Sequence, residues 1–231
     1  MKYFLAIDTS SSQTRVGLKC DSEALECRSP QKRYASQEIL CLIRNVIDEA
    51  GISISLLDGI GVVTGPGSFT GVRIGVAAAQ GLSISSGAPL IGVSTMALET
   101  VAASSVMGDD FYLVCYPAKS DEVYVGAYRC EAGKPSMVCE EFLLTLDSND
   151  FLIPPIIKNK EWVGAGVGWA ERVRIENALS LKLREEPIQK DSTIEDLLNL
   201  CIYKFQDTDE VNSLSVLPNY IKEPDYTTAN K

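Results

Sequence analysis

Apolar and polar positions alternate in short runs at the start of the chain. Residues 3–7 form a compact apolar run. Residues 14–20 alternate around Val16 and Leu18, and residues 24–28 follow a polar turn at Asp21-Ser22-Glu23, so three strands are expected. The period then changes to that of a helix over residues 36–50, with Gly51 placed to stop it. Residues 59–64 read as a strand, and Gly65-Pro66-Gly67-Ser68 turns the chain into a second helix that runs to about Ser86. A strand at 90–93 follows, and Ser94 can cap a third helix. The predicted order is β-β-β-α-β-α-β-α.

The second half opens the same way. Leu113-Val114-Cys115-Tyr116-Pro117, then Val125-Gly126-Ala127-Tyr128-Arg129-Cys130, repeats the layout of Phe4-Leu5-Ala6-Ile7-Asp8, then Val16-Gly17-Leu18-Lys19-Cys20. A third strand at 137–142 matches the one at 24–28. Either two hairpins are alike by chance, or a β-β-β-α-β unit is duplicated. Beyond them the pattern predicts a strand at 162–164, a helix from Trp169, and a helix at 193–205 with a capping box of Ser192 and Glu195. Residues 222–231 show no period and are expected to fray.

The helix at 69–86 is notable for what it lacks. Its one charged residue is Arg73 and its one long uncharged polar residue is Gln80, seven positions apart and therefore on one face. A helix small or apolar nearly all round is buried nearly all round. In the helix at 36–50, Leu42, Val46, Ile39, Ala50, Ile43, Ile47 and Leu40 sweep an arc of roughly 160°, wider than the roughly 100° that one core uses. The two helices together point to a protein–protein surface, with a large internal core as the alternative. The residues expected to form it are Ile39, Leu40, Ile43 and Ile47 from the first helix. From the second come Phe69, Gly71, Arg73, Gly75, Ala78 and Leu82, with Gly71, Gly75 and Ala78 small enough to let a partner backbone approach.

Composition narrows the function. The chain has 231 residues, 45% hydrophobic and 23% charged, which suits a globular protein of one large or two small domains. Its 21 Lys and Arg against 31 Asp and Glu give a net charge of −10, so its mean field repels phosphate backbones and any grip on nucleic acid is expected from a partner. There is no histidine. That removes Ser-His-Asp and Cys-His nucleophilic sites, histidine-ligated metals and an imidazole base. The seven cysteines are scattered, with no C-x-x-C pair, and read as reduced core residues suited to the cytoplasm. The first apolar run is cut by Asp8 too early for a signal peptide, and the uncharged stretch 74–98 is broken by Gly87-Ala88-Pro89, so no membrane span is expected.

Three segments invite a phosphate or nucleotide reading. Gly65 to Arg73 is a glycine turn before a helix, but it has neither the G-x-G-x-x-G nor the Gly-Lys-Ser/Thr spacing. Asp8-Thr9-Ser10 ends the first strand with a carboxylate and hydroxyls, as a metal–phosphate loop would, or as an ordinary turn does. Gly164-Ala165-Gly166-Val167-Gly168 precedes a helix and could admit a nucleotide to the backbone. Asp8, Thr9, Ser10, Gly164 and Gly166 are the candidate nucleotide-binding residues. No catalytic or metal-binding residue is expected.

These residues carry a resemblance. Ala6-Ile7-Asp8-Thr9-Ser10, Ser36-Gln37-Glu38-Ile39-Leu40, Gly65-Pro66-Gly67-Ser68-Phe69-Thr70-Gly71-Val72-Arg73-Ile74-Gly75, Gln80-Gly81-Leu82 and Ile91-Gly92-Val93-Ser94-Thr95 are similar to the TsaB (YeaZ) family. That family supplies the non-catalytic subunit of the bacterial machinery that makes threonylcarbamoyladenosine in tRNA. The resemblance is strongest over residues 1–105. It implies an α/β fold of two tandem actin-like (ribonuclease H-like, ASKHA) domains, each a mixed sheet with flanking helices. The domains would span 1–108 and 109–231, the last helix packing back on the first domain.

It also implies a scaffolding and activating role. The expected partners are a larger catalytic sister subunit of the TsaD kind and an ATPase subunit of the TsaE kind, with a homodimer when the chain is alone. No cofactor of its own is expected, ATP or ADP belonging at the subunit interface, and tRNA would be met only through the complex. The alternative is a stand-alone metabolite kinase or ATPase of the same fold. A metalloprotease, suggested by the family's glycoprotease-like label, lacks its histidines. Two departures stand out. Tyr116-Pro117-Ala118-Lys119 replaces an Ile-Asp-Ala-Arg type of turn, so the second-domain acid is a proline, and Ala35 stands where a histidine is common.

Overall fold

The computed structural model describes residues 2–21, 23–30, 35–119, 121–146, 153–207 and 215–221. The expected fraying at 222–231 lies outside the described residues. Strands β1 (Tyr3–Asp8), β2 (Arg15–Cys20) and β3 (Glu23–Arg28) form an antiparallel meander. Helix α1 (Ala35–Glu49), strand β4 (Gly59–Gly65), helix α2 (Phe69–Ser86), strand β5 (Leu90–Ser94) and helix α3 (Thr95–Met107) follow. The sheet runs β3-β2-β1-β4-β5, with β4 parallel to β1 and β5 parallel to β4. The second half repeats this plan. Strands β6 (Asp110–Pro117), β7 (Glu122–Glu131) and β8 (Lys134–Thr145) form a second meander, and helix α4 (Pro155–Lys158) leads to strand β9 (Val163–Ala165) parallel to β6. This sheet runs β8-β7-β6-β9, and a single parallel bridge from Ala165 to Ile188 stands where β5 stands in the first. A 3-10 turn (Val167–Glu171), helix α5 (Arg172–Leu179) and helix α6 (Ile194–Asp207) complete the described elements. The duplicated strand order is that of two actin-like units, and chance similarity of hairpins does not account for it.

Strand alternation sorts the side chains into layers. Leu5 and Ile7 of β1 face α1 and α2, whereas Phe4 and Ala6 face α3 and α6. In the second sheet, Tyr112 and Val114 face that same central helical layer, and Leu113 and Cys115 face α4 and α5. The two sheets therefore sandwich α3 and α6. Each helix crosses over: α3 leaves the first sheet and leans on β6, β7 and β8, while α6 leaves the second half and lies on β1, β2, β4 and β5. A row of small residues admits α6. Gly17, Ala6 and Gly61 are cross-strand neighbours, and a Cβ at Gly61 would sit 2.0 Å from the Cys201 sulfur.

Local signals are kept with two changes. Gly51 takes φ +65° after α1, and the Ser94 side chain accepts from the Met96 amide to cap α3. The capping box of α6 lies one residue later than expected. The Thr193 amide donates to Asp196 Oδ2 at 2.8 Å and the Asp196 amide to Thr193 Oγ1 at 3.1 Å, while Ser192 is turned toward Arg15 instead. The helix expected from Trp169 starts with a 3-10 turn. All seven cysteines are free; Cys115, Cys130 and Cys201 are buried, but Cys41 is exposed on α1, against the expectation of core residues throughout. Among the described residues no helix is long and apolar enough to cross a membrane.

Candidate functional site

Asp8 ends β1 and Pro117 ends β6, so the two phosphate-loop positions are topologically equivalent. The first is already occupied by the chain itself. Asp8 Oδ1 accepts from the Ser10 amide at 2.9 Å and the Ser10 hydroxyl at 2.7 Å, and Asp8 Oδ2 pairs with Arg15 at 2.6 Å. Arg15 also donates to the Ser192 carbonyl, tying the loop to the start of α6. Helix α2 presses on the same loop from the other side. A Cβ at Gly71 would lie 2.1 Å from the Thr9 carbonyl oxygen, and one at Gly75 2.2 Å from Thr9 Oγ1. Asp8, Thr9 and Ser10 are therefore buried.

Gly164 and Gly166 do not join them. Gly166 has φ +88° and its missing Cβ would meet the Cys115 carbonyl at 2.7 Å; Gly164 packs under Leu183 and Pro187. Close packing on β6 and the 180s segment accounts for both glycines without a nucleotide.

A cleft of about 530 Å³ remains between the halves, lined by Arg15, Thr95, Glu99, Tyr116, Asp191 and their neighbours. Burial pushes the Glu99 carboxyl up to about 7, helped by the negative charges of Asp191, Asp8 and Asp196 and opposed by Arg15. These residues do not fit a metal–phosphate group. The Asp8 carboxylate is spent on Arg15 and Ser10, Pro117 offers none, and Asp191 repels phosphate. Among the described residues no three Asp, Glu, His or Cys side chains converge in a way that could hold a metal.

The second candidate surface is the outer side of α1 and α2, which pack together on the first sheet. Ile39, Ile43 and Ile47 are buried among Leu5, Ile7 and Val16, so most of the wide arc on α1 serves the chain's own core. Gly71 and Gly75 face Thr9 rather than outward. These five positions are therefore corrected from surface to interior. Ala78 and Leu82 are half-buried against the same core. Leu40, 70% exposed, and Phe69, 66% exposed, do face out. So does the rim of Arg73, whose guanidinium lies 3.2 Å above the Phe69 ring and whose Nε donates to the Tyr220 hydroxyl at 3.0 Å. Sequence reasoning missed Ala77, Gly81 and Ile84, which continue the exposed stripe through Phe69 and Arg73; Ile84 is 69% exposed. Their spacing of about one helical turn was the available signal.

Comparison with known proteins places this arrangement. A family model described as TsaD, tRNA N6-adenosine threonylcarbamoyltransferase, matches residues 29–168. A structure described as YeaZ from Pseudomonas aeruginosa is 30% identical, covers 95% of this chain and all of its own, and superposes with a TM-score of 0.76. The chain belongs to the TsaB (YeaZ) family. The protein named tRNA threonylcarbamoyladenosine biosynthesis protein TsaB from Escherichia coli (strain K12) is 28% identical over 94% of both chains. By contrast, a tRNA N6-adenosine threonylcarbamoyltransferase from Ruegeria pomeroyi matches 29% of this chain and 18% of its own length. The match to the TsaB relative thus runs over nearly the whole of both chains, and the match to the transferase over a small part of each.

Proposed function

We propose that this chain is a scaffolding and activating subunit in the biosynthesis of threonylcarbamoyladenosine in tRNA. It binds a larger, TsaD-like catalytic subunit through the outer face of α1 and α2. The observation that carries the reading is that Leu40 on α1 and Phe69 and Ile84 on α2 leave large apolar side chains in solvent on two helices that pack against each other. Gly81 supports it. An exposed glycine inside a helix costs about 1 kcal/mol relative to alanine, and beyond the helix's own backbone nothing among the described residues lies within 4 Å of where its Cβ would be. A partner backbone passing close would explain both.

The closed Asp8 loop and Pro117 support a non-catalytic role. On this reading the halves divide at 108/109, and the chain acts in the cytoplasm. A TsaE-like ATPase joins the complex, ATP or ADP lies at the subunit interface, tRNA is met through the complex, and a second copy covers the face when the larger subunit is absent. The test is reconstitution. The chain alone should neither turn over ATP nor modify tRNA, while the larger subunit should modify tRNA only when this chain is added. Modification by the larger subunit without it, or magnesium-dependent ATP turnover by this chain that is lost in Asp8→Ala, would overturn the proposal.

A further inference from the structure

Residues 215–221 return from α6 to the far side of the molecule and lie along α2. The Val216 carbonyl accepts from Gln80 Nε2 at 2.9 Å, and the Asn219 amide donates to the Thr64 carbonyl at 2.8 Å. The Asn219 side chain donates to Glu141, which also accepts from the hydroxyls of Ser94 and Tyr128. One carboxylate of β8 therefore gathers the strap, the cap of α3 and the second sheet. This explains why α2 carries Arg73 and Gln80 on one face: both hold the strap. It also means that Tyr220 is a fixed group on a tethered segment.

Tyr220 and Phe69 flank Arg73. The guanidinium carbon is 3.2 Å from the Phe69 centroid and 5.1 Å from that of Tyr220. Stacking of this kind fixes the guanidinium plane and strips water from its faces. The hydrogen bond to Tyr220 uses Nε alone. Nη1 is buried without a partner, and among the described residues no carboxylate pairs with Arg73. In a chain of net charge −10, the one cation of α2 thus stands unpaired within an apolar stripe that Leu217 and Tyr220 extend.

We infer that Arg73, fixed by the 215–221 strap, is the docking point for a carboxylate of the partner protein that covers α2. The inference rests on the partner-face reading above and adds the chemistry of the contact. With Nε held by Tyr220 and Nη1 buried, Nη2 is the N–H group left to meet a carboxylate, as a charge-assisted hydrogen bond from a guanidinium held in one plane. Charge complementarity selects this occupant, because none of the described residues places an acid there and the partner would bring it. Tyr220 acts as a positioning residue.

The experiment measures binding of the full-length chain to the larger TsaD-like subunit across a salt series. Arg73→Gln should weaken binding about tenfold to a hundredfold and flatten its salt dependence, with the melting temperature unchanged. Arg73→Lys should recover only part, since an ammonium keeps the charge but neither stacks between the two rings nor is held by the Tyr220 hydroxyl as the guanidinium is. Tyr220→Phe, which keeps the ring and loses the hydroxyl, should weaken binding a few-fold without changing the salt slope. Lys158→Gln on α4 should bind as wild type. If Arg73→Gln matches wild type at every salt concentration while Leu40→Glu abolishes binding, the face stands and this inference fails. If neither variant has an effect, the partner-face reading itself fails. If Arg73→Gln disturbs only self-association, a second copy is the occupant and the inference is overturned.

Discussion

Helix α2 uses glycine in two opposite ways. On its inner side Gly71 and Gly75 lie so close to Thr9 that no side chain fits, and the Asp8 loop is sealed beneath them. On its outer side Gly81 meets nothing among the described residues beyond its own helix, between exposed Ala77 and Ile84. The inner side completes the fold; the outer side leaves a surface incomplete. On the reading proposed above, the difference separates a closed loop from a working surface. The Asp8 carboxylate is held by the protein's own Ser10 and Arg15, while the large apolar side chains of Phe69 and Ile84 stand exposed on the helix exterior.

The strongest test of that contrast is a pair of matched substitutions. Gly75→Leu should destabilise the chain by about 3 kcal/mol, the upper end for overpacking, and lower the melting temperature by roughly ten degrees. Gly81→Leu should keep or raise stability, by up to about 1 kcal/mol from helix propensity, while weakening binding to the larger subunit. Calorimetry and a binding titration read both. Equal behaviour of the two variants would erase the distinction between the sides.

Two carboxylates, Glu176 buried and Glu99 half-buried, sharpen it further. Glu176 on α5 is buried, which opposes its charge, but Lys182, Arg172 and the Leu183 amide outweigh burial and hold it down at about 2. Its contribution is present above the ordinary value near 4.5 and is lost as pH falls toward 2. Glu176→Gln should therefore cost about 2 kcal/mol at pH 7, and less at pH 3, by denaturant titration.

Glu99 in the cleft behaves oppositely. It stays protonated in the folded chain up to about 7, whereas its ordinary value is near 4.5. The folded state thus holds an extra proton between those values and loses stability as pH rises through them. Glu99→Gln should gain on wild type by up to about 2 kcal/mol between pH 5 and pH 8, with no gain at pH 4. A gain that does not change with pH would mean that Glu99 ionises freely and the cleft is wetter than its geometry indicates.

Much of this was legible in the sequence. Alternation in residues 3–28, the cap at Ser94 and the repeated hairpin pattern disclosed two similar halves. Gly65 to Gly75 carried the family likeness. Burial of Ile39, Ile43 and Ile47 was not legible, because a wide apolar arc looks the same whether one sheet or a partner covers it. The partners of Gly75 and Gly166 were hidden for a related reason: a glycine reports that something comes close, not what. The crossing of α3 and α6, and the return of residues 215–221 to α2, are long-range contacts with no local pattern. Gln80 and Arg73 on one helix face were the trace they left.

The central claim is that the outer face of α1 and α2, not the cleft, is the working surface. Threonylcarbamoyladenosine formation in tRNA by the reconstituted complex tests it directly, comparing Leu40→Glu combined with Ile84→Glu against Glu99→Gln. The account predicts that the double variant folds with an unchanged melting temperature yet loses at least about tenfold in modification, equivalent to about 1.4 kcal/mol of binding at limiting concentration, while Glu99→Gln modifies tRNA as wild type does. Full modification by the folded double variant, with loss in Glu99→Gln, would contradict it.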